Sequence, residues 1–200
     1  MFFTPPVTAQ QTATSFFRRG QIIPLYPNTI WQIERGILQL RTQNDQGDIT
    51  VLGWLQAGGF WGDFLTQLET VEAIAFADTT LKDYATEQIY ASLDLQQYLL
   101  RQTLRRLHQA EYLLAIAGLK RIESRLVSLL FFLKQEMGNN KGKMTLIRYR
   151  FTHKNLADVI GTTRVTVTRL FKEFQTQGWL VLDDDRHLLI ANDYIPEQIF

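Results

Sequence analysis

The stretch Thr152–Phe174, THKNLADVIGTTRVTVTRLFKEF, constrains the fold more than any other part of the chain. Leu156, Ala157 and Ile160 fall on one face of a first helix. Gly161 follows at once and can take the positive φ that ends a helix. Thr163 can cap a second helix, on which Val167, Leu170, Phe171 and Phe174 recur at spacings of three and four. Ala157 is small where the two helices must cross closely, and Val167 fills the space between them. This is the pattern of a helix-turn-helix, whose second helix is available to the major groove of DNA. The alternative is an ordinary amphipathic helix pair inside an enzyme; the shared register of alanine, glycine, valine and a basic outer face argues against it.

That outer face carries Arg164, Val165, Thr166, Thr168, Arg169 and Lys172. An arginine at a helix start can bond a guanine edge bidentately, and a valine can touch a thymine methyl. The hydroxyls of Thr163, Thr166 and Thr168, together with Arg169, Lys172 and Lys154, suit phosphate contacts, which orient a protein without specifying sequence. His153, at the start of the first helix, is also expected to touch a phosphate.

Charge supports this reading. The net charge is only +1, but residues 120–178 hold 12 Lys/Arg against 4 Asp/Glu, and the segments on either side are acidic. A basic block around the helix pair is what phosphate binding requires, although a solvated charged face is a simpler explanation of the same count. Two hundred residues allow one large domain or two small ones. The chain has no cysteine, which excludes disulfides, cysteine-ligated zinc and iron–sulfur clusters. No run of about 18 apolar residues is present, and the N-terminus lacks the basic-then-apolar order of a signal peptide, so a cytoplasmic location without membrane contact is expected.

Read in order, residues 1–15 are expected to form a loose, flexible polar arm. From Phe16 short apolar segments alternate with turn residues: 21–23, 30–33, 37–41, 49–55, 73–76 and 79–84. That spacing predicts a compact antiparallel roll or barrel over 16–85, with Asp45-Gln46-Gly47 as a hairpin turn. Over 86–118 the period becomes helical. Leu93, Leu100, Leu107 and Leu114 repeat every seven residues, with Leu104 beside them, which favours a two-stranded coiled coil and hence a dimerisation helix. A helix packed only on its own domain is the alternative. Leu99, Leu113 and Ile116 lie off this seam and could cover the roll. Residues 118–120 read as a hinge, 122–137 as an amphipathic helix, 138–142 as a loop and 144–151 as a strand. After Gly178, segments 179–182 and 187–191 flank Asp183–Arg186 as a small hairpin, so 119–200 is expected to be a winged helix-turn-helix.

A roll, a heptad helix, a hinge and a winged helix-turn-helix, in that order, resemble the Crp/Fnr family of transcription regulators over about residues 16–195. Ser124–Ser128, SRLVS, and Gly161–Leu170, GTTRVTVTRL, are similar to the corresponding stretches of the cyanobacterial nitrogen-control, NtcA-like branch. The resemblance implies an α+β chain with a cyclic-nucleotide-binding-like jelly roll. It also implies a homodimer that presents two recognition helices to a palindrome, and a contact with RNA polymerase. The expected site is GTA and its inverted TAC about eight base pairs apart, with Arg164 on the guanine.

The resemblance also raises the question of an effector. In the cyclic-nucleotide binders of this family a Gly-Glu pair and an Arg-Ser pair bracket a short cassette. Here Gly62-Asp63 stands at its opening and Val71-Glu72 where the Arg-Ser pair is expected, so a phosphate would meet Glu69 and Glu72 instead of a cation. Cyclic AMP is not expected. In the nitrogen-control branch 2-oxoglutarate is bound with the help of an arginine and a glutamate five residues apart on the long helix. Arg106 and Glu111 match that pair, with Trp61 and Gly62 nearby in the cassette, but a cassette arginine has no match. The other reading of Arg106 and Glu111 is a salt bridge across the dimer seam. An effector-independent regulator, a 2-oxoglutarate- or other metabolite-responsive one, and a non-specific DNA-packaging protein stay open. No cofactor is expected: residues 1–107 lack histidine, and His108 alone on a helix is a poor haem ligand. No catalytic motif is visible, so an enzyme is not expected.

Overall fold

A computed structural model describes residues 13–196 of the chain. Two compact units are present, one drawn from most of the chain up to His108 and the other essentially from Gln109 onward.

The first unit is an antiparallel roll. Its strands are β1 (Thr14–Phe17), β2 (Ile22–Ile23), β3 (Thr29–Arg35), β4 (Ile37–Gln43), β5 (Ile49–Gln56), β6 (Phe60–Gly62), β7 (Val71–Ala75) and β8 (Thr79–Ala85). They form one sheet in the order β1-β8-β3-β6 and another in the order β2-β7-β4-β5. Alternation builds the core between them. In β7, Val71, Ala73 and Ala75 are buried while Glu72 and Ile74 are not, and Leu38 and Leu40 of β4 stand opposite Ala75 and Ala73. Ile33, Leu55, Trp61 and Leu81 complete this core. Between β3 and β4 the chain turns at Gly36, φ 95°, where a Cβ would lie 2.5 Å from the carbonyl oxygen of Asp78. The expected hairpin turn is present between β4 and β5: Asn44 accepts on its side chain from the Gln46 and Asp48 amides, and its carbonyl accepts from Gly47.

Two strands lie outside the segments expected from sequence. β6 is only three residues long, and β1 begins at Thr14, inside the expected arm, where it pairs with β8. The arm is thus shorter than 1–15: Thr14 and Ser15 are strand, and residues 1–12 lie outside the described residues.

The expected single helix over 86–118 is two: α1 (Thr86–Ala91) and α2 (Leu93–Gly118). Ser92 separates them in an extended conformation, and its hydroxyl accepts from the Leu95 amide, so a serine that reads as neutral within a helical period acts as a cap. In the first unit Leu95, Tyr98 and Leu99 of α2 pack on Ile30, Phe60 and Ile89. Leu93, Leu100, Leu104, Leu107 and Leu114 are all exposed, from 46% for Leu104 to 75% for Leu114.

The second unit contains α3 (Ile122–Met137), β9 (Gly138–Lys141), β10 (Met144–Ile147), α4 (His153–Ile160), α5 (Arg164–Thr176), β11 (Leu180–Leu182) and β12 (Leu188–Ala191). Its sheet runs β11-β12-β10-β9. The polar run 138–141, expected as loop, is strand β9 because its backbone pairs with β10, from Gly138 opposite Ile147 to Lys141 opposite Met144. β10 in turn stops at Ile147, short of the expected Phe151. Trp179 closes the core, stacked on Tyr194 with ring centroids 4.3 Å apart and packed on Phe174 at 4.6 Å. Among the described residues no helix is long and apolar enough to cross a membrane, and no group of three or more metal-ligating side chains is placed to hold an ion.

Candidate nucleic-acid interface

The helix pair closes as its sequence demands. Leu156, Ala157 and Ile160 of α4 and Val167, Leu170, Phe171 and Phe174 of α5 are buried together. Thr152 caps α4 reciprocally with Asn155: the Asn155 amide donates to Thr152 Oγ1 and the Thr152 amide to Asn155 Oδ1. Gly161 ends α4 in the left-handed region, φ 65° and ψ 51°, and the Thr162 amide donates back to the Ala157 carbonyl. Thr163 then accepts from the Thr166 amide at 3.2 Å and starts α5. Within four residues the chain changes direction and α5 emerges with a fixed rotation about its axis.

That rotation decides what α5 presents. Arg164 and Val165 are exposed at its first turn, Val165 at 78%. Arg164, Val165, Thr168, Arg169 and Lys172 line one shallow groove along the helix. Thr166 is half-buried, and its hydroxyl lies 3.0 Å from that of Thr163, so both hydroxyls are engaged in the cap. Thr168 donates from Oγ1 to the Arg164 carbonyl. Arg164 has no carboxylate partner among the described residues, whereas Arg169 pairs with Glu173 and Lys154 with Asp158, each one turn along its own helix. Such exposed pairs contribute at most ~1 kcal/mol and can exchange for another anion.

A second concavity, of about 660 Å3, lies beside α5. Arg150, His153, Lys154, Arg164 and Arg186 bring four permanent cations and one imidazole to its wall. Sequence reasoning missed Arg150 and Arg186. Arg186 sits in the turn between β11 and β12, at φ 62°, 22 positions after Arg164. Only its charge marked it out. The His153 Nδ1 lies 2.8 Å from Thr168 Oγ1, and its ring packs on Phe171 with centroids 4.5 Å apart. Burial first, and then the charge of Arg164, pull its imidazole below the usual histidine value.

The expected effector residues are dispersed. Trp61 is fully buried in the roll core and Gly62 ends β6. Arg106 donates from Nη1 to the Leu65 carbonyl at 3.0 Å, so its guanidinium faces its own roll and is not turned to the leucine seam; burial lowers its affinity for its proton. Glu111 is exposed. Where the Arg-Ser pair of the cyclic-nucleotide binders is expected, Val71 is buried and Glu72 is paired with Arg41 at 3.0 Å.

Residues 124–193 match the model of the Crp-like helix-turn-helix domain. Over 98% of its length the chain is 30% identical to the regulatory protein CysR of Synechococcus elongatus, covering 91% of that protein. It is 27% identical to the global nitrogen regulator of Nostoc sp. over 86% of this chain and 79% of that one. A solved CRP/FNR-family transcriptional regulator of Thermus thermophilus has the same fold, with a TM-score of 0.69 at 21% identity over 90% of this chain and 94% of that one. The chain belongs to the Crp/Fnr family of transcription regulators, beside the cyanobacterial nitrogen-control branch.

Proposed function

We propose that the protein regulates transcription as a homodimer on an inverted repeat of the form GTA and TAC, about eight base pairs apart, and that it needs no small-molecule effector. The recognition surface carries this reading: Arg164, unpaired by any carboxylate among the described residues, stands with the exposed Val165 at the first turn of α5. Arg164 reads the guanine and Val165 a thymine methyl; Arg169, Lys172, Lys154 and His153 hold the backbone on either side, while the hydroxyls of Thr163, Thr166 and Thr168 fix the helix start and the His153 ring. The exposed leucines 93, 100, 104, 107 and 114, with Glu111 among them, form the seam to the second copy. The paired copies set two recognition helices on successive major grooves ~34 Å apart, and the dimer so placed contacts RNA polymerase.

Effector independence is supported by the state of the cassette, whose Glu72 is matched with Arg41 and whose Trp61 is packed into the core. One observation favours a second reading. Arg106 is half-buried with a carbonyl and no carboxylate as its partner among the described residues, so a small dicarboxylate such as 2-oxoglutarate would find a cation there.

Selection from random duplexes with the full chain tests the main reading: a GTA/TAC inverted repeat is the expected product. Recovery of duplexes without a common motif, with no more than about tenfold preference for any sequence, would make the chain a non-specific DNA-binding protein instead. Calorimetry with 2-oxoglutarate decides between the effector readings, with no saturable heat expected.

A further inference from the structure

The contact between His153 and Thr168 fixes more than a ring position. Thr168 has one hydroxyl proton, and it is spent on the Arg164 carbonyl, a group that can only accept. Thr168 Oγ1 therefore meets His153 Nδ1 as an acceptor, and the imidazole is the tautomer with its proton on Nδ1. The lone pair of the neutral ring is left on Nε2, which has no hydrogen-bond partner among the described residues. That ring is part of the wall of the concavity shared with Arg150, Lys154, Arg164 and Arg186.

We propose that His153 is a proton-coupled ligand for a backbone phosphate: Nδ1–H stays on Thr168, and Nε2 takes up a proton from solvent as duplex DNA docks and donates it to a phosphate oxygen. This deepens the DNA-binding reading above and rests on it.

The charges around the ring explain why uptake waits for DNA. In the free protein the neighbouring cations are Arg150 before α4, Lys154 on α4, Arg164 on α5 and Arg186 in the wing turn. Of the carboxylates on these elements, Asp158 is engaged with Lys154, Glu173 with Arg169 and Asp183 with His187, and Asp184 and Asp185 of the wing turn do not line the concavity. A positive imidazole is disfavoured there by burial and by Arg164. A phosphate arriving in the concavity brings negative charge against those cations and an acceptor for Nε2–H, and both effects favour the protonated ring. The sign follows. Free His153 gains its proton below the ordinary histidine value and bound His153 gains it above, so affinity rises as pH falls through the bound value and levels off below the free one. Thr168 keeps the ring in place in either state, because Nδ1 carries a proton in both.

The test is the affinity of the full chain for an inverted-repeat duplex from pH 5.5 to 8.5 at constant ionic strength. The wild type is expected to bind at least about tenfold more tightly at pH 6 than at pH 8, one proton per subunit being linked to binding. In H153N, whose amide can still donate to Thr168, this pH dependence is expected to vanish, and in H187Q to persist. Calorimetry in two buffers of different protonation enthalpy at pH 7 should show net proton uptake by the wild type only. NMR titration of the wild-type His153 imidazole, free and duplex-bound, reads the same shift without a substitution. A wild-type affinity that is flat with pH, an H153N profile parallel to it, or a His153 that titrates at one pH free and bound would each overturn the proton link while leaving DNA binding intact. Failure to bind any inverted-repeat duplex at any pH would overturn both readings.

Discussion

Arg125 of α3 donates from Nη1 to the carbonyl of Ile160, the last residue of α4, at 3.2 Å. The same guanidinium donates from Nε to the Leu119 carbonyl at 2.7 Å, just beyond the end of α2. One side chain thus ties the hinge segment to the turn of the helix-turn-helix, satisfying two carbonyls that helix ends leave without partners. Removing it with Arg125→Ala should cost about 1.5–3 kcal/mol of stability, because two charge-assisted bonds are lost at a half-buried site. Arg125→Lys, which keeps the charge and can reach one carbonyl, should recover part of that. Denaturant titration of the full chain measures both.

Arg164→Ala should weaken duplex binding by about 1–3 kcal/mol and flatten preference at one base pair of each half-site. Fluorescence anisotropy against a panel of single-base variants reads the two effects separately.

Asp158→Asn should act in the opposite sense. It releases Lys154 from its pair one turn along α4, so affinity for all duplexes should rise, and the salt dependence should steepen by up to about one ion per subunit. Lys154→Ala should lower affinity for all sequences alike. Binding across a salt series checks both substitutions.

A carboxylate on the leucine seam should separate the subunits. Leu107 is 52% exposed in the single chain, so Leu107→Glu is expected to leave the fold intact while shifting sedimentation from dimer to monomer and abolishing palindrome binding at low concentration.

Gly161→Ala should destabilise by about 1–2 kcal/mol. The backbone there is left-handed, and the nearest atom to an added Cβ is Arg125 Nη1 at 3.9 Å, so the penalty is conformational and not steric. Thermal unfolding of the full chain measures it.

Much of this architecture is legible in the residues themselves, for identifiable reasons. The Gly161 turn, the Thr163 cap and the Val167 series are local devices, so their geometry follows from adjacent residues. The α3 boundaries, Ile122–Met137, coincide with those expected because apolar period and flanking polar residues change together. What escapes is made by partners distant in sequence. β9 is a run of GNNK that becomes a strand only because β10 pairs with it, and β1 is a strand only because β8 does. Ser92, just ahead of the leucine period, separates α1 from α2 because its hydroxyl accepts from the Leu95 amide and starts the second helix. In the site, the residues of α5 follow from helical spacing, whereas Arg150 and Arg186 are brought to Arg164 by the loop between β10 and α4 and by a wing turn that no spacing rule connects.

The pairing of Arg169 with Glu173 and of Lys154 with Asp158 bears on how a regulator searches a genome. Random DNA outnumbers its targets by many orders of magnitude, and bare cations would hold the dimer on the first stretch it met. On the proposed reading, two cations that would grip phosphates are sheathed by carboxylates from their own helices, while Arg164, the proposed base reader, stays bare. Dwell on decoys is then expected to be shortened more than residence on a cognate operator, where a correct base edge offsets the exchange of one anion for another.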